Sequence, residues 1–272
     1  AIFHASADNI ARHRLRSLTI VLCLVAILSP FLSAIAVLEG VKAQALLSVD
    51  EGADIYVTMD LFGRNGVIPL VAVAQIKALD GVVDAVPRAI CRIYISGRSA
   101  VLLGMPFDRP FPNDRSFIQG SPPQAGEVVI GTKLAQALKL GIGDEISIGA
   151  RAIGIINHSP YIMKKMYRIA GTFTASADIR TADLVMMDIH EAVSAYEMDG
   201  FATDIAITVK PGHAAQVSED LMKMNSAYRI QTKDLVKTYV ERGLNMRGGV
   251  FTSLYLVAFA VAIPTMLVMT GV

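Results

Sequence analysis

The sequence predicts an α+β extracytoplasmic domain of two lobes, built of βαβ-like elements plus an inserted lobe and flanked by transmembrane α-helices. Two observations carry the flanks and one carries the domain. Ser17 to Leu38 is a run of 22 residues without a charge, and Gly248 to Val272 is a second run of 25. At about 1.5 Å rise per helical residue, each covers the roughly 30 Å of a bilayer's hydrocarbon core. Between them, short β-rich segments alternate with helix-periodic ones, the pattern of a layered mixed domain.

The chain therefore reads as a lead-in over 1–16, a first membrane helix over 17–41, a large domain over 42–247 and a second membrane helix over 248–272. Composition agrees: the mean hydropathy is +0.48 and 53% of residues are hydrophobic, yet 18% charged residues leave room for a solvated domain. The lead-in carries Arg12, Arg14 and Arg16 against Asp8. A basic cluster just before a first span favours a cytoplasmic N-terminus and places the large domain outside. Arg242 and Arg247 flank the second span on the outer side, but long loops translocate largely regardless of charge. Ala34-Ile35-Ala36 behind the apolar run also fits a signal-peptide cleavage site. The run exceeds the roughly 7–15 residues of a signal h-region, so the retained span is the preferred reading. Pro30 and Pro264 fall inside the two runs, where membrane helices tolerate proline.

Residues 42–247 hold 22 basic and 22 acidic side chains. A neutral domain lacks the basic face that nucleic acid requires, so no nucleic-acid partner is expected. Cys23 lies in the first span and Cys91 in the domain, so no disulfide framework exists.

Along the domain, Ala53 to Met59 reads as a strand, and Pro69 to Leu79 as a helix ended by Asp80-Gly81. Val82 to Ile90 and Arg92 to Ile95 read as strands, with Gly97-Arg98 as the hairpin turn into Ala100 to Leu103. Phe107 to Gln124 is proline-rich and reads as a loop at a subdomain boundary. Beyond it come a strand at Glu127 to Ile130, a helix at Thr132 to Lys139 capped by Thr132, a turn at Gly141 to Asp144 and a strand at Glu145 to Ile148. Strands follow at Ala152 to Ile156, Tyr167 to Phe173 and Asp183 to Met187, then a helix at Ile189 to Tyr196. A last strand–helix–strand set covers Asp204 to Val209, Ala214 to Met224 and Tyr228 to Gln231. Thr232 to Met246 reads as a helix running toward the second span.

Catalytic signatures are missing. The chain has no phosphate-binding loop and no nucleophile elbow. His190-Glu191 lacks the second histidine of a zinc-protease helix. Gly141-Ile142-Gly143 lacks the third glycine of a dinucleotide fingerprint and reads as a turn. Met163, Met166, Met186, Met187 and Met198, with His158 and His190, offer thioethers and imidazoles to a soft metal, but methionine ordinarily fills core gaps. Lys164, Lys165 and Arg168 form a basic knot beside Tyr161 and Tyr167, suited to an acidic head group or partner, or simply to a solvated turn. Asn157-His158-Ser159 matches a glycosylation sequon with Pro160 behind it. No catalytic residue, metal site or cofactor on this chain is expected.

Four stretches in order carry a resemblance. Asn9 to Thr19 leads into the membrane with Leu15-Arg16-Ser17-Leu18-Thr19. Ile76 to Pro87 passes from a helix through Gly81-Val82 to a strand ending at Pro87. Gly126-Glu127 to Gly131 is followed by Leu140-Gly141-Ile142-Gly143-Asp144-Glu145-Ile146. Ile169-Ala170-Gly171-Thr172-Phe173 precedes the strand after Asp183. In their order and spacing, and with the enclosing spans, they resemble the MacB/FtsX-like family of ABC-transporter permeases, the mechanotransmission class with a MacB-type periplasmic core domain. The likeness covers nearly the whole chain.

The resemblance implies lobes formed by about 50–105 with 203–240 and by about 110–200. Gly81, Val82, Pro87, Gly126, Glu127, Gly131, Gly141, Gly143, Asp144 and Gly171 would serve as structural motif residues. Arg12, Arg14 and Arg16 would orient the chain in the inner membrane. It also implies a non-catalytic subunit that pairs with a second copy or a paralogue and docks on a separate cytosolic ABC ATPase. ATP-driven motion would pass up the spans to the outer domain, for export or extraction of a lipoprotein, lipid, peptide or drug, with a periplasmic adaptor or cargo as a further partner. The family's cell-wall hydrolase regulators use the same motion. Members have four spans, so two more, with the ATPase-contacting segment, are expected beyond Val272. The competing class is a two-span sensor or scaffold whose outer domain binds a ligand or partner.

Overall fold

The computed structural model describes residues 14–107, 117–151 and 162–270. The elements begin with α1 (Arg14–Asp50), β1 (Ile55–Leu61), β2 (Arg64–Gly66), β3 (Ile68–Pro69), α2 (Val71–Lys77), β4 (Val82–Ile95), β5 (Arg98–Met105) and β6 (Phe117–Gly120). Next come β7 (Glu127–Gly131), α3 (Thr132–Leu138), β8 (Glu145–Arg151), β9 (Ile162–Thr174), α4 (Asp178–Asp183), β10 (Leu184–Asp188) and α5 (Ile189–Ala195). The chain closes with β11 (Phe201–Ala202), β12 (Asp204–Val209), α6 (Ala214–Met224), β13 (Tyr228–Thr232) and α7 (Lys233–Thr270). Two compact units result: the residues up to Ala43 together with those from Tyr239, and Gln44–Thr238.

In the first unit α1 is apolar on all sides and stays helical through Pro30. Leu18, Val21, Leu22, Val25 and Leu32 are each more than half exposed, as a helix hydrophobic all round leaves them when its solvent is lipid. Among the described residues, Val21–Asp50 is the one helix long and apolar enough by length and composition to cross a membrane. The second apolar run continues α7 as far as Thr270, and its last two residues lie outside the described ones. The Phe31 and Tyr255 rings stack at 4.7 Å between centroids, and Lys42 Nζ donates to Asn245 Oδ1 at 3.3 Å, tying α1 to α7 within this unit.

The second unit is mixed α/β and holds two main cores. Pairing runs β4–β5–β10–β7–β9–β8 and returns from β8 to β4 through Ile93↔Ala150 and Tyr94↔Gly149. Six strands thus close into a barrel, which leaves no open sheet edge among them. Every second residue faces inward, and Ile93, Leu102, Ile130, Ile146, Ile169 and Met187 fill the interior with α3 and α5 packed against it. A smaller cluster of Leu103, Val129, Phe173 and Met186 lies on the opposite faces of the same strands, next to β6. The second core lies where β13, β1, β12 and the first half of β4 pack on α2 and α6, around Ile55, Ile76, Ile207 and Leu221.

β4 threads both cores. Val82 to Arg88 pairs with β12, and Ala89 to Ile95 pairs with β5. Pro87 sits two residues before the ladder changes partner, a position where a central strand can do without an N–H. Thr203 fills the resulting gap: its Oγ1 accepts from Ile90 N at 2.7 Å and donates to Arg88 O at 2.9 Å.

Several local expectations need correction. The stretch from Val82 to Ile95 is one strand rather than two. Its turn is Ser96-Gly97, both with positive φ, as a type I′ hairpin requires. Thr132 does not cap α3: Gly131 occupies the cap, and the Thr132 hydroxyl donates to Phe173 O. Asp183 ends a short helix rather than opening a strand, and β6 lies inside the stretch read as loop. The strand expected at Ala152 to Ile156, together with His158, the sequon and Tyr161, lies outside the described residues. Met187 and Met198 fill the barrel and Met186 the smaller cluster.

Cys91 faces the barrel interior. Burial pushes its thiol up to about 12, with the Tyr196 hydroxyl pulling the other way. The unfolded thiol ionises near about 8.5, so this contribution to stability is complete below that pH and is lost as the pH rises toward 12. In a Cys23→Ser background, Cys91 should resist iodoacetamide at mildly alkaline pH until the chain is unfolded. Cys91→Ala should flatten the alkaline loss of stability in melts recorded across pH. Rapid native alkylation would contradict the burial.

Candidate functional site

The second unit brings the end of α1 and the start of α7 to one place. The two apolar helices are separated by some 180 residues of chain, yet their roots share ion pairs. Lys237 Nζ lies 2.5 Å from Asp50 Oδ1, and Lys233 Nζ lies 3.2 Å from Asp54 Oδ1 and 3.2 Å from the Asp50 carbonyl oxygen. Lys233 and Lys237 are one helical turn apart and present the same face. Asp54 is the hub. Its Oδ2 accepts from Val209 N at 3.0 Å, and its carbonyl accepts from Lys233 N at 2.8 Å. Thr232 Oγ1 accepts from Leu235 N, a hydroxyl cap at the start of α7.

Glu51 extends the joint to α4. It is 8% exposed, and its Oε2 lies 2.9 Å from Arg180 NH1. Its Oε1 is buried without a hydrogen-bond partner among the described residues. Gly52 follows because the chain must pass close to Tyr56: a Cβ there would lie 2.3 Å from Tyr56 Oη, the oxygen that accepts from Ala53 N at 2.8 Å. The Tyr56 ring in turn carries Arg88, whose guanidinium carbon stands 4.4 Å from the ring centroid. Arg88 meets Asp204, its cross-strand partner, through a two-point fork at 2.8 and 2.7 Å. Burial pulls the guanidinium down, but the Asp204 charge and hydrogen bonds, with Tyr56, carry it above its ordinary value. Asp204 is 8% exposed, so the pair is a desolvated tie between β4 and β12 where β4 passes from one core to the other. A cleft of about 230 Å³ opens between Ser48 of α1, Glu51, Tyr56, Arg88 and Arg180.

The motif residues lie elsewhere. Gly81 leads into β4, Val82 opens it opposite Val209, and Pro87 stands opposite Ile205. Gly126, Glu127, Gly141, Gly143 and Asp144 gather at one end of the barrel. Gly126 O accepts from Arg168 N, Glu127 lies 3.9 Å from Arg168, Gly143 N donates to Ile169 O, and Asp144 Oδ2 accepts from Gly141 N. Gly171 passes against Gln119 of β6. Gly131 admits α4, since a Cβ there would lie 2.2 Å from the Thr181 carbonyl oxygen. Gly131→Ala should cost about 1–3 kcal/mol by forcing the two backbones apart, seen as a lower thermal midpoint; an unchanged midpoint would show that this contact yields freely. Arg12 lies outside the described residues, and Arg14 and Arg16 are in the first turn of α1.

Sequence reasoning missed Asp50, Glu51, Asp54, Arg88, Arg180, Asp204, Lys233 and Lys237. A signal existed for part of the joint: acidic Asp50, Glu51 and Asp54 follow the first apolar helix, and basic Lys233 and Lys237 precede the second. Nothing in spacing alone pairs Arg88 with Asp204.

A family model described as "MacB-like periplasmic core domain" matches residues 17–224. Among solved structures, the chain is similar to the periplasmic region of MacB from Actinobacillus actinomycetemcomitans, at 11% identity, with 72% of this chain and 97% of that one covered and a TM-score of 0.48. It is also similar to the extracellular domain of the noncanonic ABC-type transporter YknZ from Gram-positive bacteria, at 13% identity, with 65% and 99% covered and a TM-score of 0.42. A domain of a putative permease protein from Porphyromonas gingivalis matches at 14% identity, with 68% and 91% covered and a TM-score of 0.37. No curated protein matches significantly.

Proposed function

The chain belongs to the family built on the MacB-like periplasmic core domain, and from that premise we propose that it is the force-transmitting permease subunit of an ABC transporter. ATP is hydrolysed on a separate cytosolic ATPase, and this chain performs no catalysis of its own. Two permease subunits, identical or paralogous, work as a pair with their N-termini in the cytoplasm. Motion enters through α1 and α7 and moves the extracytoplasmic domain, which acts on a lipoprotein, lipid, peptide or drug.

The observation that supports this reading best is the joint itself. The last turn of α1 and the first turns of α7 are ion-paired to each other through Asp50 and Lys237, and to the sheet through Asp54, Lys233 and Val209. A simple membrane anchor needs one flexible tether. Two helices locked together and to a strand can carry displacement from lipid to fold, because packed and hydrogen-bonded elements shift as units.

The test is purification of the full-length protein from native membranes in mild detergent, followed by hydrogen exchange with and without ATP and vanadate. An ATPase should co-purify, and exchange over Asp50–Asp54 and Thr232–Lys237 should depend on nucleotide. Absence of an ATPase, together with a signalling domain following Val272 in the full-length chain, would instead favour a membrane-anchored sensor.

A further inference from the structure

The β1–β2 hairpin ends in the turn Phe62-Gly63, with φ of 52° and 83°, the type I′ geometry. The first turn position favours asparagine, aspartate or glycine, and the domain's hairpin at Ser96-Gly97 places a serine there. Phe62 instead sets a phenyl ring on left-handed backbone, a rare place for a bulky residue, and that ring is wholly exposed. Leu61 beside it is 52% exposed. The hairpin is braced. Arg229 of β13 donates from Nη1 to Asn65 Oδ1 at 2.9 Å and from Nη2 to Asp60 Oδ2 at 3.0 Å. Asp60 Oδ1 in turn accepts from Gly63 N at 2.7 Å. An aromatic anchor held out on a rigid turn loses little freedom on binding, which suits it to the centre of an interface. Arg64 follows it, exposed and with no ion-pair partner among the described residues.

A matching receptor lies on the same chain. A cleft of about 410 Å³ opens between α2 and α5 over β4, and Leu70, Val73, Pro87 and Pro106, all half-buried, form its accessible wall. At about 30 Å³ per water it has room for about thirteen water-sized atoms, enough for the side chains of Leu61 and Phe62 together. At one rim Lys77 and Asp84 satisfy each other at 2.8 Å. At the other rim Asp199 is exposed and has no ion-pair partner among the described residues. Its neighbour Gly200 accepts from Leu70 N at 2.9 Å, and β2 and β3 lead from Arg64 to that same Leu70. Tip and cleft thus share one region of the surface. The tip is apolar with an unpaired guanidinium; the cleft is apolar with an unpaired carboxylate.

We propose that the domains of two copies of this chain dock by exchanging these features. Leu61 and Phe62 of each copy enter the cleft of the other, and Arg64 of each meets Asp199 of the other. A patch that carries both knob and hole is self-complementary, so the contact closes as a two-fold pair. A bilayer suits the tip less well. β1 leaves the joint at Ile55, and its rise to Leu61 carries the turn about 20 Å from the end of α1. The inference deepens the pairing proposed above by naming its surface. It rests on two identical copies and on neither the ATPase nor the cargo.

The chain has no tryptophan, so Phe62→Trp makes a single reporter at the tip. The full-length variant is extracted from native membranes into polymer nanodiscs, and mass photometry counts the copies per disc. Two-copy discs should give blue emission that iodide and brominated lipid barely quench. Asp199→Arg should expose the reporter, and Arg64→Asp added to the same chain should restore its shielding. In a Cys23→Ser background, two differently tagged copies carrying Arg64→Cys and Asp199→Cys should form a disulfide under mild oxidation. Phe62→Asn should cut that yield by about tenfold or more. Its thermal midpoint should hold or rise, since asparagine suits the turn. Two-copy discs with an exposed reporter overturn the proposal and leave the pairing standing; one-copy discs overturn both. Quenching by brominated lipid puts the tip in the bilayer and overturns the proposal. So does an equal disulfide yield when Ser96→Cys replaces Arg64→Cys.

Discussion

Asp204→Ala lowers the stability of the domain by about 3–5 kcal/mol, the cost of stranding a buried guanidinium. The Arg88 side chain is only 14% exposed and lies on the Tyr56 ring, with β4 and β12 fixing the backbone on both sides and Asp204 directly opposite. At about 2–4 °C per kcal/mol for a domain of this size, the thermal midpoint falls by roughly 10 °C. Arg88→Ala leaves the opposite charge stranded and falls by a similar amount. The double variant Arg88→Met with Asp204→Leu recovers most of the loss, since well-packed apolar replacements remove both desolvation costs together. Circular dichroism melts of the three variants check this. A single variant within 1 kcal/mol of the parent would mean that water reaches the pair.

The same pair shows what the sequence could and could not disclose. Apolar runs without charge read directly as helices, because membrane solvent imposes one composition over some twenty residues. α1 and the course of α7 follow from that alone. Strands such as Glu127 to Gly131 and Asp204 to Val209 were legible from their β-branched residues and the turns beside them. Barrel closure was not. It depends on β8 reaching back to β4 through two residue pairs some 57 positions apart, and periodicity carries no information about such partners. The run from Val82 to Ile95 read as two strands divided at Cys91, yet Cys91 is a buried mid-strand residue, and the strand changes partner earlier, between Arg88 and Ala89. The joint was hidden for a related reason. Asp50 and Lys237 are ordinary solvated charges in the sequence, and only the pairing of β13 with β1 brings Thr232 beside Ile55 and so sets Lys233 on Asp54. The motif residues were visible as glycines and acids at turn spacing, and they mark turns and close backbone approaches rather than the ion-paired joint.

Glu241→Pro separates two tasks of α7, holding the domain and the proposed one of moving it. Glu241 is exposed and lies beyond the ion-paired turns, so the substitution leaves Lys233 and Lys237 on their partners. Proline there removes the bond from residue 241 to the Lys237 carbonyl and clashes with that carbonyl, at a local cost of about 3 kcal/mol or more and with a kink. The domain keeps its own two cores, so its thermal midpoint should stay near that of the parent. If α7 transmits displacement as a stiff rod, as proposed, ATP hydrolysis by the proposed ATPase continues, while the nucleotide-dependent change in exchange over Thr232–Lys237 disappears. Glu241→Ala keeps the helix and should keep the response. A domain that still answers to nucleotide above a proline kink would show that α7 is a tether, and would leave α1, held at Asp50 and at Glu51 through Arg180, as the route by which motion enters.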